Sequence, residues 1–312
     1  MTRRITTNIA ASVRQRLYNL AKEKDQDFNF VLGRFVAERL LFRLSVSESA
    51  DDFVLKGALL FLLWSDHLYR PTRDVDLLGY GESSIGKLED TFRKVCHTQV
   101  VEDGLVFDVD SVQGASIRED QEYDGVRITL TARLGNARIP MQIDIGFGDA
   151  ITPGVEAVEF PLMLTIPALP AAKLNAYPRE TVIAEKLEAM VTLGMANSRM
   201  KDFYDLFTLA QNFPFDGGVL VRAVQNTFER RATTLPDAAP IALTEKFSTD
   251  AAKNSQWRNF LKRVGIHAAA PDLAEVIDHL RQFLLPVLVA AKNREEFSQN
   301  WIAGKCWKSK GK

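Results

Sequence analysis

The sequence predicts an α/β (α+β) protein in which a mixed-sheet lobe is flanked by N-terminal helices and followed by a C-terminal helical lobe. Three observations lead there. Apolar and polar residues alternate with period two in several segments between residues 105 and 147, as strands require. Apolar residues recur at helical spacing at both ends of the chain. Between them, Pro153, Pro161, Pro167, Pro170 and Pro178 crowd into a short stretch that marks a boundary. The expected division is residues 1–45, N-terminal helices packing on the core; 46–170, the sheet lobe; and 171–312, the helical lobe. The length of 312 residues suits two lobes better than one.

Residues 1–45 place Ile9, Val13, Leu17 and Leu20, then Phe30, Val31, Phe35, Leu40 and Leu41, at helical intervals. Nine basic residues (Arg3, Arg4, Arg14, Arg16, Lys22, Lys24, Arg34, Arg39, Arg43) face four acids there (Glu23, Asp25, Asp27, Glu38). That excess reads either as a solvated helix face or as a patch for nucleic acid or a partner. In the sheet lobe, Leu59 to Leu68 forms an apolar helix candidate after Gly57, and Val75 to Leu78 a short strand. Leu105–Val112, Val126–Leu134 and Arg138–Phe147 alternate, with Gly135-Asn136 as a hairpin turn. The helical lobe reads as Arg179–Leu193, Met200–Asn212, Gly218–Arg231, Thr249–Val264 and Pro271–Leu284, and Lys305 to Lys312 as a frayed tail.

Composition excludes several functions. Lysine plus arginine total 39 against 40 acids, a net charge of −1, so global charge does not coat nucleic acid. Two cysteines, Cys96 and Cys306, build neither a disulfide framework nor a zinc site. The longest apolar run, Ala58 to Trp64, is too short to span a bilayer. Thr6, Thr7 and Asn8 stand where a signal peptide needs its apolar core. A soluble, cytoplasmic protein is expected.

The strongest chemical signal is Arg70-Pro-Thr-Arg73-Asp74-Val75-Asp76-Leu77-Leu78. On a strand Asp74 and Asp76 share one face, and two adjacent carboxylates call for a cation; Mg²⁺ suits them because it takes oxygen ligands and substrate phosphates. Asp108-Val109-Asp110 has the same form and reads as an exposed strand face. Upstream, Lys56-Gly57-Ala58-Leu59-Leu60 offers a helix start beside a lysine, a phosphate cradle. Downstream, Asp144 lies between Ile143 and Ile145. It is either a third metal ligand or a strand-end aspartate; Asp149 fits a turn cap better. In the helical lobe Lys186 lies beside the stripe of Ile183, Leu187 and Val191, and Asp202 and Asp205 share a helix face at i, i+3. These three read either as structural ion pairing or as a site facing the cleft between lobes.

Together these blocks (Lys56 to Leu60, Arg70 to Leu78, Arg127-Ile128-Thr129 with Gln142 to Asp149, Glu180 to Leu187, Lys201 to Asp205) resemble the AbiEii nucleotidyltransferase toxins of abortive-infection, type IV toxin–antitoxin systems, to which the mycobacterial MenT enzymes are similar. The resemblance covers roughly residues 50 to 210. It departs at Ala58, where the wider superfamily prefers glycine or serine. It implies a nucleotidyltransferase-like fold and transfer of a nucleoside monophosphate from an NTP to RNA, in related toxins the tRNA 3′ end, blocking translation. It implies Mg²⁺, with Mn²⁺ as substitute, on Asp74, Asp76 and Asp144. Catalytic roles fall on Asp74, Asp76, Lys186 and Asp202, and nucleotide contacts on Lys56, Gly57, Arg73, Lys186 and Asp205. A cognate antitoxin is the implied protein partner. The alternative is an NTP-binding, kinase-like toxin that phosphorylates protein or RNA.

Overall fold

The computed structural model describes residues 8–65, 72, 74–119, 123–165, 169–266 and 271–310. The chain forms two compact units: Met1–Gly148 with Glu156–Ala176, and Asp149–Val155 with Tyr177–Lys312.

The first unit contains helices α1 (Ile9–Glu23) and α2 (Phe28–Ser45), then strand β1 (Phe53–Lys56). A 3-10 turn (Gly57–Leu60) leads to the short helix α3 (Phe61–Trp64), followed by β2 (Asp74–Gly79), α4 (Ile85–His97), β3 (Leu105–Glu119), β4 (Tyr123–Leu134), β5 (Ala137–Phe147), β6 (Glu156–Glu159) and β7 (Lys173–Ala176). The helices start where side chains satisfy free amides: the Ala11 amide donates to Asn8 Oδ1 at 3.0 Å and the Phe30 amide to Asp27 Oδ1 at 2.9 Å. The expected hairpin turn is present, with Gly135 at φ +59° and Leu134 paired with Ala137.

Seven strands form one mixed sheet in the order β3-β4-β5-β2-β1-β7-β6, with β2–β5 and β1–β7 parallel and the other neighbours antiparallel. Val75, Leu77, Ile128, Ile143 and Ile145 are buried on one face of the central strands, the alternation that the sequence displays. At about 25 cal/mol per Å² of apolar area, burying such side chains is the main source of the unit's stability. Helix α4 comes in addition to the expected elements; its buried Leu88, Phe92 and Val95 recur at intervals of three and four.

One expectation about the N-terminal helices is corrected. Arg39 and Arg43, counted among the basic surface residues, are buried and face Asp103. Arg43 grips both Asp103 oxygens at 2.7 and 3.1 Å, and Arg39 Nε reaches Oδ2 at 3.2 Å. A fully buried carboxylate needs such partners. Arg14, Arg16, Lys22 and Lys24 on and just after α1 remain exposed.

The second unit comprises α5 (Arg179–Leu193), α6 (Met200–Asn212), β8 (Phe215–Asp216), α7 (Gly217–Arg230), α8 (Glu245–Ser248), α9 (Ala251–Val264), α10 (Leu273–Asn293), β9 (Gln299–Trp301) and β10 (Trp307–Ser309). Two expectations change here. Helix α10 runs through Pro286 to Asn293, because Val287, Leu288, Ala290 and Ala291 continue the buried stripe and their packing outweighs the lost hydrogen bond. Up to residue 310 the tail is not frayed: β10 pairs with β9, which pairs with β8; residues 311–312 lie outside the described residues. Trp301 is fully buried and donates to the Ala210 carbonyl at 2.7 Å, and Trp307 donates to the Phe283 carbonyl at 2.9 Å. Among the described residues, no helix is long and apolar enough to cross a membrane.

Candidate active site

In the first unit, four charged residues fall into one transverse row across adjacent strands. Lys56 on β1 is opposite Asp76 on β2, Asp76 is beside Asp144 on β5, and Asp144 is opposite Arg127 on β4. Residues in register share a face, so the row reads cation, carboxylate, carboxylate, cation. The next row holds Asp74 beside Gln142, itself opposite Thr129. Asp74 and Asp76 therefore share that face with Asp144, while Val75 and Ile143 point into the core on the other.

Gly57 explains how the chain leaves β1 without blocking this face. Its φ is +74°, and a Cβ there would lie 1.9 Å from Asp76 Oδ2 and 2.5 Å from its carboxyl carbon. Only glycine tolerates both the backbone and the approach. In the described part of the helix expected over Leu59 to Leu68, a 3-10 turn is followed by α3, which ends at Trp64; residues 66–68 lie outside the described residues. Arg73 lies outside the described residues.

Asp144 is committed to Arg127. The guanidinium grips it at both prongs, Nε to Oδ1 at 2.8 Å and Nη2 to Oδ2 at 2.8 Å, and the Gln142 amide donates to Oδ2 at 3.2 Å. Among the described residues, no group of three or more His, Cys, Asp or Glu side chains is gathered closely enough to hold a metal ion. In kind the residues do fit one: the donors on this face are all oxygens, as Mg²⁺ and Mn²⁺ prefer, and the Gly57 contact keeps space beside Asp76 that any larger residue would fill.

The second unit assembles a different set. Lys186 Nζ on α5 lies 2.6 Å from Asp202 Oδ1 and 3.0 Å from Asp205 Oδ2, both on α6. Arg199 Nε stands 2.7 Å from Asp202 Oδ2. Both aspartates are 1% exposed. Burial pushes the Asp202 carboxyl upward, but Lys186 and Arg199 together outweigh it and hold it below the usual range. The ion pairing read from the sequence is thus formed.

Sequence reasoning missed a cluster around Arg231. Its Nη1 reaches Glu188 at 2.8 Å and its Nη2 reaches Asp149 at 3.2 Å and Glu185 at 3.6 Å. Tyr177 donates to the other Asp149 oxygen at 3.1 Å. Burial first, then the neighbouring Glu185 and Asp149, push the Tyr177 hydroxyl well above its ordinary value. The one local signal was Glu185 and Glu188 at i, i+3 on α5. Arg127 stood in the sequence as part of a strand and of a block carrying the family resemblance, but without a role, since its bond to Asp144 depends on the β4–β5 register.

Comparison with known proteins adds the following. The profile of a family described as nucleotidyl transferase AbiEii toxin, Type IV TA system, matches residues 39–279. No curated protein sequence matches. Two crystal structures from Helicobacter pylori are similar, each with 15% identity and a TM-score of 0.47. One, JHP933, is matched over 82% of this chain and 90% of its own; the other, described as a "putative nucleotidyltransferase", over 83% and 95%.

Proposed function

The chain belongs to the AbiEii family of nucleotidyltransferase toxins of type IV toxin–antitoxin systems, and from that premise we propose that it transfers a nucleoside monophosphate from an NTP to the 3′ end of a tRNA in the cytoplasm and so blocks translation. The observation that carries the reading is the face shared by Asp74, Asp76 and Asp144 on adjacent central strands, within the matched region.

In this reading Asp74 and Asp76 hold Mg²⁺, or Mn²⁺ in its place, with Asp144 beside them. The ion, when bound, neutralises charge on the triphosphate and on the leaving pyrophosphate. Lys56, Gly57 and Arg73 contact the nucleotide from the first unit. The family resemblance assigns a phosphate contact to Lys186, whose ammonium Asp202 and Asp205 fix. The RNA 3′ hydroxyl oxygen forms a bond to the α-phosphorus, the bond from that phosphorus to the bridging oxygen breaks, pyrophosphate departs, and the hydroxyl proton is released. Positioning and charge neutralisation supply most of the acceleration in such transfers.

Supporting an RNA acceptor, α1 exposes Arg14, Arg16 and Lys22, with Lys24 just beyond it, beside a groove of about 760 Å³ that Arg14, Gln15, Tyr18 and Asn136 help line. Lys22 Nζ sits 4.7 Å from the centre of the exposed Tyr18 ring. Cations interleaved with an aromatic suit a phosphate backbone and a stacked base. A cognate antitoxin is the expected protein partner.

The test is incubation of purified protein with total tRNA, Mg²⁺ and each α-³²P-labelled nucleotide, beside Asp76→Ala. Label entering tRNA with one nucleotide, and lost in the variant, is the expected result. Label only from γ-labelled nucleotide would replace this reading with phosphoryl transfer.

A further inference from the structure

Three of the four residues in the transverse row have an evident use in binding a nucleotide and its metal. Arg127 does not, yet it is fixed with bidentate geometry against one of the carboxylates. Both Asp144 oxygens are engaged by it at 2.8 Å, on the side opposite Asp76 in the register of the strands. The pair is accessible: Arg127 is 40% exposed and Asp144 22%. Ion pairs in such surroundings are weak and exchangeable, whereas a buried one such as Lys186–Asp202 is not.

We propose that Arg127 is a built-in counter-ion that competes with the divalent cation for Asp144. In the metal-free protein the guanidinium neutralises the third carboxylate and leaves Asp74 and Asp76 as the ion's anchors. When the metal binds, Asp144 exchanges its guanidinium partner for the ion. Asp74, Asp76 and Asp144 share one face, and carboxylates so placed repel each other, which the guanidinium on Asp144 relieves until a cation arrives. The inference rests on the metal-binding reading of Asp74 and Asp76. It goes further in assigning Arg127, a positioning residue, the role of setting metal affinity.

The test is titration of the full chain with Mn²⁺ alone, read by the electron paramagnetic resonance signal of free Mn²⁺. Arg127→Gln is expected to tighten Mn²⁺ binding about tenfold, the scale on which partners of metal ligands act. Arg127→Lys, which keeps the charge but loses the second prong, should fall between. In an Asp144→Asn background the same Arg127→Gln change should gain about threefold or less, because only screened, longer-range charge remains. Unchanged or weaker binding in Arg127→Gln overturns the proposal, as does an equal gain in both backgrounds. Failure of the underlying reading looks different: Asp76→Asn would then leave Mn²⁺ binding intact. Should Arg127→Gln fail to fold, Arg127→Lys in the parent and in the Asp144→Asn background carries the same comparison.

Discussion

Two copies of Asp-Val-Asp lie in one sheet, and their surroundings differ. Asp74-Val75-Asp76 is on β2, a central strand, with Asp144 on one side and Lys56 on the other. Asp108-Val109-Asp110 is on β3, at the sheet edge, where the register with β4 shifts between Asp108 and Gln113. There Asp108 pairs with the exposed Arg133 at 2.9 Å, and Asp110 is exposed within the irregular segment. A tripeptide supplies two carboxylates on one face. What sets the β2 copy apart is the cross-strand row that adds a third acid, cations at both ends and a glycine pressed against one of them.

The sharpest way to break this comparison is to neutralise one member of each copy. Asp76→Asn should lower nucleotide transfer by about a hundredfold or more, since charge neutralisation at the reacting phosphate is lost, while Asp108→Asn should leave it unchanged. Equal losses would mean that strand position is irrelevant. The next effect concerns carboxylates that are buried and paired. Asp202→Ala should reduce unfolding free energy by up to about 3 kcal/mol in urea titrations, because it removes the buried carboxylate that Lys186 and Arg199 share and leaves Lys186 only its bond to Asp205 among those described above. The Asp202 carboxyl is held below its usual value, so its stabilisation is present above the unfolded value near 3.8 and is lost as pH falls through the folded one.

Glu38 shows the opposite case, a carboxylate buried with too little compensation. It accepts from the Met163 amide at 2.7 Å and lies 3.6 Å from Arg39, yet burial pushes its carboxyl up to about 7. A raised carboxyl value means that the folded state binds the extra proton, so stability is full below about pH 4.5 and falls as pH rises through 7. Glu38→Gln should therefore gain up to about 3 kcal/mol at pH 8 and nothing near pH 4, as chemical unfolding at the two pH values would show. The smallest expected effect is at the edge strand: Asp110→Asn should stay within about 0.5 kcal/mol of the parent in the same measurement.

Elements with strong periodicity are legible in the sequence alone. The bounds of α5 and α6 match the sequence expectation, and the β4–β5 hairpin is where Gly135-Asn136 placed it. Non-local facts are not legible in this way. Nothing adjacent to Arg39 or Arg43 announces that Asp103 lies some sixty residues on, and a helix rich in arginine therefore resembles a surface. Pro286 suggests a stop that buried apolar residues override. At the candidate site, Asp74 and Asp76 follow from strand geometry alone, and the only local hint of Asp144 beside them is its apolar flanks. The guanidinium that holds Asp144 emerges only once β4 is laid beside β5.

The sheet order also sets a schedule for synthesis. Strand β1 takes β2 as an early neighbour, but its parallel partner on the other side is β7, with Val54 opposite Asn175. At a ribosomal rate of about 5–20 residues per second, that edge of β1 waits roughly 6 to 24 seconds for its mate to be made. By the last quarter of that interval the growing chain carries Asp74, Asp76 and Asp144 but still lacks the strand that completes the sheet around them. A ribosome programmed to stall before residue 173 should therefore display a nascent chain sensitive to protease near residue 54, and one stalled well after residue 176 should not.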